Sequence, residues 1–362
     1  MTDWLIFPDH GFEAQRQLPQ ASPWVRWWLW LVAALVLAMV IVGGATRLTE
    51  SGLSITEWKP VTGVLPPLSE AQWLAEFEKY KQIPQYQQLA AAMDLAGFKF
   101  IYFWEWGHRL LGRVIGIVFA LPLLWFVLRR QLPAGFGWKL LGLLFLGGLQ
   151  GFVGWWMVKS GLSVRVEVSQ YRLSVQLLLA SLTFAALVWL ATSLSPRQAS
   201  GGGWRWLASF VILLVLLQIG LGALVAGLRA GLVYNTWPLM GESFVPPLAE
   251  LTSQNPLWTN LFENHTTVQF LHRMTAYAML AFALVQALAS GSGPATRRAW
   301  ALAGLVLCQA GLGIATLLLA VPLWTALLHQ AFAMLVLGMA VVHRQRLSPA
   351  ASRQVTAGRG GF

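Results

Sequence analysis

Eight long apolar stretches recur along the chain, separated by shorter polar segments. Each holds about twenty residues, the length that an α-helix needs to cross the hydrocarbon core of a bilayer. They are too long and too evenly apolar for the alternating strands of a membrane barrel. Helices also satisfy their own backbone hydrogen bonds, for which hydrocarbon offers no other partner. The pattern therefore predicts an all-α integral membrane protein with spans near 25–45, 100–128, 137–158, 171–192, 204–227, 266–289, 297–319 and 322–342.

The composition supports this class. Of 362 residues, 57% are hydrophobic and 11% are charged, whereas a soluble domain carries about 25% charged residues. A soluble globular enzyme, a disordered protein and a fibrous protein are thereby excluded. The formal net charge of +11 indicates anchoring at a membrane face, because no Lys/Arg run is long enough to suggest a nucleic-acid partner. The single cysteine, Cys308, excludes an intramolecular disulfide and a cysteine-based metal site.

The charge of the loops alternates along the chain. The short loops after the second, fourth and sixth spans are basic, and so is the C-terminal tail 343–362. The two long loops, 46–99 and 228–265, contain most of the acidic residues. By the positive-inside rule, the tail and the N-terminal segment 1–24 are expected to be cytoplasmic, and the two long loops are expected to face outward.

The first long loop contains a helical signal. Ser69 is a favoured N-cap residue, and the apolar residues Trp73, Leu74 and Phe77 follow it at helical spacing. This pattern predicts a short helix at the membrane interface.

The sequence divides near 196–204 into two halves with the same plan. Each half has four spans, a long loop after its first span and a short loop after its second. The second span carries EWGHR at 105–109 where the sixth carries QFLHR at 269–273. The third and seventh spans share a glutamine followed by small residues, which allow close helix contact. We therefore expect two pseudo-symmetric four-helix bundles, 25–195 and 204–342.

The histidines differ in their expected depth. Two lie near the termini, where water or headgroups are expected, one lies at the mouth of the sixth span, and three lie inside apolar spans. In that order they are His10 and His343, His265, and His108, His272 and His329. An ionisable residue inside a span is energetically costly and indicates a functional role. The alternative is a neutral imidazole that hydrogen-bonds across helices.

One pair of histidines has the arrangement of a haem-ligand set. His272 begins the sixth span and His329 begins the eighth, so both imidazoles are expected at similar depth near the outer face. Two helices that present one histidine each at one level can supply both axial ligands of a haem. In the first half, His108 is in place, but the position that matches His329 holds Gln176. This asymmetry suggests one electron-transfer site and one reactive site, unless Gln176 is only an interhelical hydrogen-bonding residue.

Further candidates surround His108. Glu105 lies three residues earlier and shares its helix face. Its carboxylate could carry a proton or stabilise positive charge on a reacting porphyrin substituent; the alternative is a salt bridge to Arg109. Arg109, Arg113 and Arg273 are candidates for binding haem propionates, since Arg binds carboxylates bidentately. The alternative for these arginines is snorkelling toward the headgroups.

At these residues, the chain resembles haem A synthases of the proteobacterial and mitochondrial type, over about 40–345. It departs from the family pattern at Gln176, where the family usually has histidine. The paired loop cysteines of the Gram-positive branch are also absent. The motifs that carry the resemblance are GGATRLT at 43–49, EWKP at 57–60, FKFIYFWE at 98–105, HRLLGR at 108–113, GALVAG at 222–227 and YNTWPLM at 234–240.

The resemblance implies a reaction and its ligands. That family oxidises one methyl group of haem O to a formyl group by successive hydroxylations, giving haem A for cytochrome c oxidase. It implies a haem b whose iron is held by His272 and His329. It also implies a substrate haem whose iron is held by His108, with Gln176 at the matching position and Glu105 taking part in the chemistry.

The same resemblance implies a setting. The expected location is the bacterial inner membrane, surrounded by lipid, with haem O handed over by haem O synthase. An electron-transfer partner of unknown identity is required, nucleic acid is not a partner, and a homo-oligomer is compatible with the sequence.

Two other functions compete with this interpretation. A di-haem cytochrome b that only carries electrons would place haems on opposite sides of the bilayer, whereas the candidate ligands here lie near one face. A secondary transporter would have broken helices and charges near the bilayer centre, whereas the central spans are unbroken and apolar. The electron carrier is the stronger alternative.

Overall fold

The computed structural model describes residues 22–162, 166–195 and 204–347. Within these ranges, the regular structure is helical. Three short 3₁₀ turns also occur, at Thr62–Val64, Ala230–Leu232 and Leu257–Thr259. The α-helices are α1 (Pro23–Leu48), α2 (Glu70–Lys81), α3 (Pro84–Leu89), α4 (Leu95–Leu128), α5 (Phe136–Lys159), α6 (Gln170–Ser193), α7 (Arg205–Gly227), α8 (Leu248–Leu251), α9 (Asn260–Glu263), α10 (His265–Leu288), α11 (Pro294–Leu318) and α12 (Leu323–Arg346).

Eight of these helices are long and apolar enough to cross a membrane: α1, α4, α5, α6, α7, α10, α11 and α12. The prediction of an all-α, eight-span membrane protein is confirmed. Helix α4 begins earlier than predicted because Asp94 caps it, accepting a 2.8 Å hydrogen bond from the Gly97 N–H. Helix α12 continues past the predicted end at residue 342 to Arg346. His343 therefore lies inside a helix and is 1% exposed, which corrects the expectation that its side chain is exposed to water or headgroups.

The alternating direction of the helices gives the molecule two ends. We call the end that carries residues 49–94 and 228–264 the loop face, and the opposite end, where α7 and α11 begin, the basic face. Every carboxylate of the described residues lies at the loop face or in the part of α4 nearest to it. The basic face carries arginine and lysine instead. This is the charge asymmetry that the loops predicted.

Each half of the chain packs as neighbouring helices. In the first half, α1 contacts α4 and α6, and α5 contacts α6. In the second, α7 contacts α10 and α12, and α11 contacts the same two helices. The halves also meet along α6 and α7, as extensively as α6 meets α1, and α12 reaches both α1 and α6. The division into two separate bundles therefore stays a prediction.

One pair of neighbouring helices differs between the halves. Helices α4 and α5 pack much less closely than α10 and α11 do. A Cβ added at Gly116 of α4 or at Gly148 of α5 would meet no atom within 4 Å. When the His-Arg pairs of α4 and α10 are aligned, Gly116 matches Leu280. When the glutamines of α5 and α11 at 150 and 309 are aligned, Gly148 matches Leu307. The side between α4 and α5 is consequently the more open one.

Polar contacts join the halves. On α12, the Gln330 side chain donates a 2.9 Å hydrogen bond to the Val40 carbonyl of α1. Gly44 makes room for it, since a Cβ there would lie 2.1 Å from the glutamine Oε1. At the loop face, an alternating chain of ion pairs links the ends of α1 and α7 through Glu50, Arg229, Glu167 and Arg47.

The predicted interfacial helix is present as α2. The Ser69 hydroxyl accepts from the Gln72 N–H, and the Gln72 side chain reaches back to the Ser69 N–H, so both halves of a capping box are formed. Trp73 and Phe77 are buried, and the Phe77 ring stacks on Phe98 of α4 at a centroid distance of 4.9 Å. The first long loop is thus folded onto the loop-face end of α4.

Candidate functional site

The two histidines of the second half face each other from α10 and α12. The ring centroids of His272 and His329 are 6.4 Å apart, with an interplanar angle of 77°. The Nδ1 atom of each ring is buried and has no hydrogen-bond partner among the described residues. An unpaired buried polar atom is destabilising. Two facing imidazoles with such atoms are therefore typical of residues that bind a ligand.

Glutamines fix the helices that carry these histidines. The Gln218 side chain of α7 donates a 3.0 Å bond to the His272 carbonyl, and its Nε2 lies 3.3 Å from the His272 Nε2. The Gln309 side chain of α11 donates a 2.9 Å bond to the His329 carbonyl. Each histidine is therefore anchored to its neighbouring helix through its own backbone.

Glycines give the two imidazoles their space. A Cβ at Gly222 of α7 would lie 3.1 Å from the His272 Cε1, and one at Gly313 of α11 would lie 2.9 Å from the His329 Cε1. Both distances are below ordinary van der Waals contact for a Cβ. Any side chain at either position would push the imidazole away from its partner.

The first half repeats this arrangement. A Cβ at Gly43 of α1 would lie 3.0 Å from the His108 Nε2, and one at Gly154 of α5 would lie 3.4 Å from the Gln176 Nε2. The Gln150 side chain donates a 3.0 Å bond to the Gln176 carbonyl, as Gln309 does to its histidine. Gln176 thus occupies the structural position of the second histidine, as the repeat predicted, and within the described ranges its Oε1 is buried with no hydrogen-bond partner.

The supporting glutamines and glycines were not predicted as site residues. The repeated motif QxxxG at 150–154 and 309–313 was the signal for two of them, since it places both residues on one helix face. Gln218 had no such signal, because the matching position in the first half holds Met39.

Glu105 is buried and fully engaged. Its Oε2 accepts a 2.7 Å bond from the Ile55 N–H and a 2.8 Å bond from the Ser54 hydroxyl, while its Oε1 pairs with Arg109 at 2.5 Å. Of the roles left open by the sequence, this geometry contains the salt bridge to Arg109. Both carboxylate oxygens are occupied, so the side chain is fixed in position.

The arginines that follow the histidines hold the long loops. Arg109 donates to the carbonyls of Ile55 at 2.9 Å and Glu57 at 3.0 Å. Arg113 donates to the carbonyls of Lys59 at 2.9 Å and Pro60 at 2.8 Å, and its Nη1 is buried without a hydrogen-bond partner among the described residues. Both guanidinium groups are thus bound by loop carbonyls. The Nη1 of Arg113 retains a buried donor that a propionate could accept from.

The second half has the same kind of contact, which we call an arginine strap: the arginine after the histidine donates to backbone carbonyls of the long loop. Arg273 donates to the carbonyls of Tyr234 at 2.8 Å and Thr236 at 2.9 Å, and Gln269 donates to Tyr234 at 3.1 Å. His265, at the start of α10, lines a surface cleft together with Glu250. It is not brought to the two facing histidines.

The facing histidines fit an iron porphyrin. A metal–imidazole bond is about 2.0–2.1 Å long, so two rings on opposite sides of one metal have centroids roughly 6 Å apart. The observed 6.4 Å agrees with this distance. Imidazole is an established axial ligand of haem iron. In the described ranges, no group of three or more His, Cys, Asp or Glu could hold a bare metal ion.

Fold and site together define a multi-pass helical membrane protein whose second half presents a histidine pair suited to axial ligation. Residues 26–341 match the family described as Cytochrome oxidase assembly protein, and the chain belongs to that family. It is 62% identical over 349 residues to Heme A synthase of Beijerinckia indica, covering 93% of this chain and 97% of that protein. It is 55% identical over 331 residues to Heme A synthase of a Bradyrhizobium species, covering 90% and 91%. The resemblance carried by the motifs is confirmed.

Proposed function

We propose that this protein is a haem A synthase, an oxidoreductase of the inner membrane that converts a methyl group of haem O to a formyl group. The observation that carries the proposal is the pair His272 and His329, whose ring centroids lie 6.4 Å apart. The relatives named Heme A synthase, at up to 62% identity over most of the chain, support this function over a simple electron carrier.

The second half would hold a resident haem b. His272 and His329 would supply its axial ligands, and Gln218 and Gln309 keep their helices in register through the backbone carbonyls. When bound, a haem with two histidine ligands supplies one-electron transfer, because both axial positions are filled.

The first half would hold the substrate. His108 would bind the iron of haem O on one side, and Gln176 of α6 would approach it on the other as a weaker ligand. Glu105, paired with Arg109, would stabilise positive charge on the reacting substituent. The Nη1 of Arg113 would bind a propionate. Because Gln176 would bind the iron weakly, the haem could dissociate once it has become the product.

The setting is part of the proposal. We place the basic face in the cytoplasm, with both termini, and the loop face outward. We assign the substrate site to 25–195 and the haem b site to 204–342. Haem O would come from haem O synthase, and electrons would pass to a partner of unidentified chemistry.

The proposal is tested by purifying the protein, recording its visible spectrum and identifying the extracted haems. We expect haem B together with haem O or haem A. His272→Ala is expected to lose the haem B signal, and His108→Ala to lose haem O or A while keeping haem B. Haem B alone, with no haem A formed from added haem O, would identify an electron carrier instead. A colourless preparation would remove both functions.

A further inference from the structure

Buried polar side chains cluster near the basic face of the second half, far from both haem sites. His343 is 1% exposed and Gln286 is 3% exposed. Both ring nitrogens of His343, both amide atoms of Gln286, and the Nε and Nη2 of Arg298 are buried without a hydrogen-bond partner among the described residues. Such atoms are rarely left unpaired in a folded protein, so the cluster has the features of a binding site.

Helix geometry brings the three side chains to one level. Helix α11 ends at Leu318 and α12 begins at Leu323. Arg298 and His343 lie equally many residues away from these two helix ends. The two residues therefore lie side by side in this hairpin, and they interact electrostatically. Gln286 lies in the last turn of α10, next to the first turns of α11.

Within the described residues, the cluster carries positive charge and lies far from any carboxylate. Every carboxylate of the described ranges lies toward the opposite end of the molecule. Arg298 also interacts electrostatically with Arg346, which adds a second cation nearby. A half-buried guanidinium with two unpaired donors requires an acceptor, and an anion satisfies both its charge and its N–H groups.

The depth of the cluster is that of the lipid headgroups. Trp300 lies on α11 close to Arg298 and is 48% exposed. Trp204 and Trp206, at the start of α7, are exposed and stack at a centroid distance of 6.0 Å. Exposed tryptophans concentrate at the membrane–water interface, so the three buried polar residues are at the level of phosphate groups.

We propose that Gln286, Arg298 and His343 form a phosphate-binding site at the basic face. The guanidinium supplies the charge and two N–H donors, and the glutamine amide and one imidazole N–H complete the donor set. The phosphate belongs either to the headgroup of an anionic phospholipid or to a free phosphate. Basic pockets between membrane helices on this side bind phospholipid headgroups in other proteins.

The test measures thermal unfolding of the full-length protein under two conditions. In one, the protein is in nanodiscs of phosphatidylcholine with or without phosphatidylglycerol; in the other, it is in detergent and titrated with inorganic phosphate. We expect anionic lipid or phosphate to raise the unfolding temperature of the native protein. Arg298→Gln is expected to raise the half-saturating concentration at least tenfold, and Gln286→Leu, which leaves the charge in place, to raise it severalfold.

The matched control is Arg297→Gln, because Arg297 is exposed on the same turn of α11 and carries the same charge. It should respond like the native protein. A response to phosphatidylglycerol alone identifies a lipid headgroup, and a response to both probes identifies a site open to free phosphate. Equal responses of Arg298→Gln and the native protein, or an equal loss in Arg297→Gln, would overturn the proposal. The measurement needs no haem, so its failure leaves the proposed enzyme function unaffected.

Discussion

At the scale of single residues, the two halves differ most in one position. Gln176 has the backbone support and the facing glycine of a ligand position, yet it carries a carboxamide where its counterpart His329 carries an imidazole. Space is not the reason for the difference. A Cβ at Gly154 would lie 3.4 Å from the Gln176 side chain, whereas one at Gly313 would lie 2.9 Å from the His329 ring. The difference is therefore in ligand strength.

Gln176→His is expected to increase the amount of substrate haem retained, because imidazole binds iron more strongly than a carboxamide. Haem O and haem A extracted from purified protein measure it. Gln176→Leu is the control for loss of the amide and should retain less haem than the native protein. Equal retention in all three proteins would show that this position is not a ligand.

Glu105→Gln is expected to reduce haem A formation at least tenfold while haem B stays bound. The change leaves the Arg109 guanidinium buried without its anion, and breaking a buried ion pair costs about 3–5 kcal/mol. Haem A yield and thermal unfolding measure the two effects. The double variant Glu105→Gln with Arg109→Gln removes the unpaired charge but also the hydrogen bonds of Arg109 to the loop, so it should recover only part of the stability and none of the activity. Recovery of activity in the double variant would assign Glu105 a purely structural role.

At the scale of helices and loops, the sequence predicted most of the architecture. Eight spans follow from hydrophobic length, and α2 follows from Ser69 and the spacing of Trp73 and Phe77. The loop straps of Arg109 and Arg273 could not be predicted, because they end on backbone carbonyls, which carry no sequence signal. His343 was misplaced because the apolar stretch ends before α12 does.

The loop carrying Glu57 should be sensitive to acid. Hydrogen bonds from Lys59 and then Lys79 hold the pKa of Glu57 below its ordinary value of 4.5. A lowered folded pKa means that the stabilisation is present above pH 4.5 and is lost as pH falls through the folded value. The protection of α2 against hydrogen exchange, after correction for the intrinsic rate at each pH, is therefore expected to fall below pH 4.5, ahead of that of α10.

Lys79→Met should make α2 exchange faster already at neutral pH, because it removes one of the two lysine bridges between Glu57 and Glu76 and leaves only that of Lys59. The matched control is Lys81→Met, since Lys81 pairs only within α2, with Glu78. If both variants accelerate exchange equally, the ion pairs across the loop do not hold α2 in place.

Gly44→Ala should loosen the contact between α1 and α12. A Cβ at this position would lie 2.1 Å from the Gln330 Oε1, so the glutamine must move and its bond to Val40 breaks. Overpacking of this kind costs about 1–3 kcal/mol, measured as a lower unfolding temperature. Adding Gln330→Ala should restore stability. If it does not, the strain comes from another contact of α1.

At the scale of the whole molecule, the halves share one plan but differ in how tightly they close. Helices α10 and α11 pack closely, whereas α4 and α5 do not, and glycines in the first half match leucines in the second. The repeat was visible in the sequence, but this difference was not, because a glycine is compatible with close contact as well as with open space. A tight half suits a resident cofactor, and an open half suits a substrate that is exchanged.

Gly148→Leu is expected to slow the uptake of haem O severalfold, because it puts a bulky side chain into open space on α5, beside the loosely packed pair α4 and α5. The rate at which added haem O binds to purified protein measures it. Gly304→Leu on α11 is the matched control, since Gly304 also faces open space. Slowing in both variants, or in neither, would show that haem O does not enter between α4 and α5.

The arginine straps have a consequence for how molecules reach the interior. Both long loops are fastened to the helix ends by Arg109 and Arg273, so a large flat molecule that enters from the aqueous side would have to displace them. We expect the porphyrin to enter instead by lateral diffusion within the bilayer. Its rate of supply would then depend on its density in the membrane and on the viscosity of the bilayer, and diluting the surrounding solution would leave that rate unchanged.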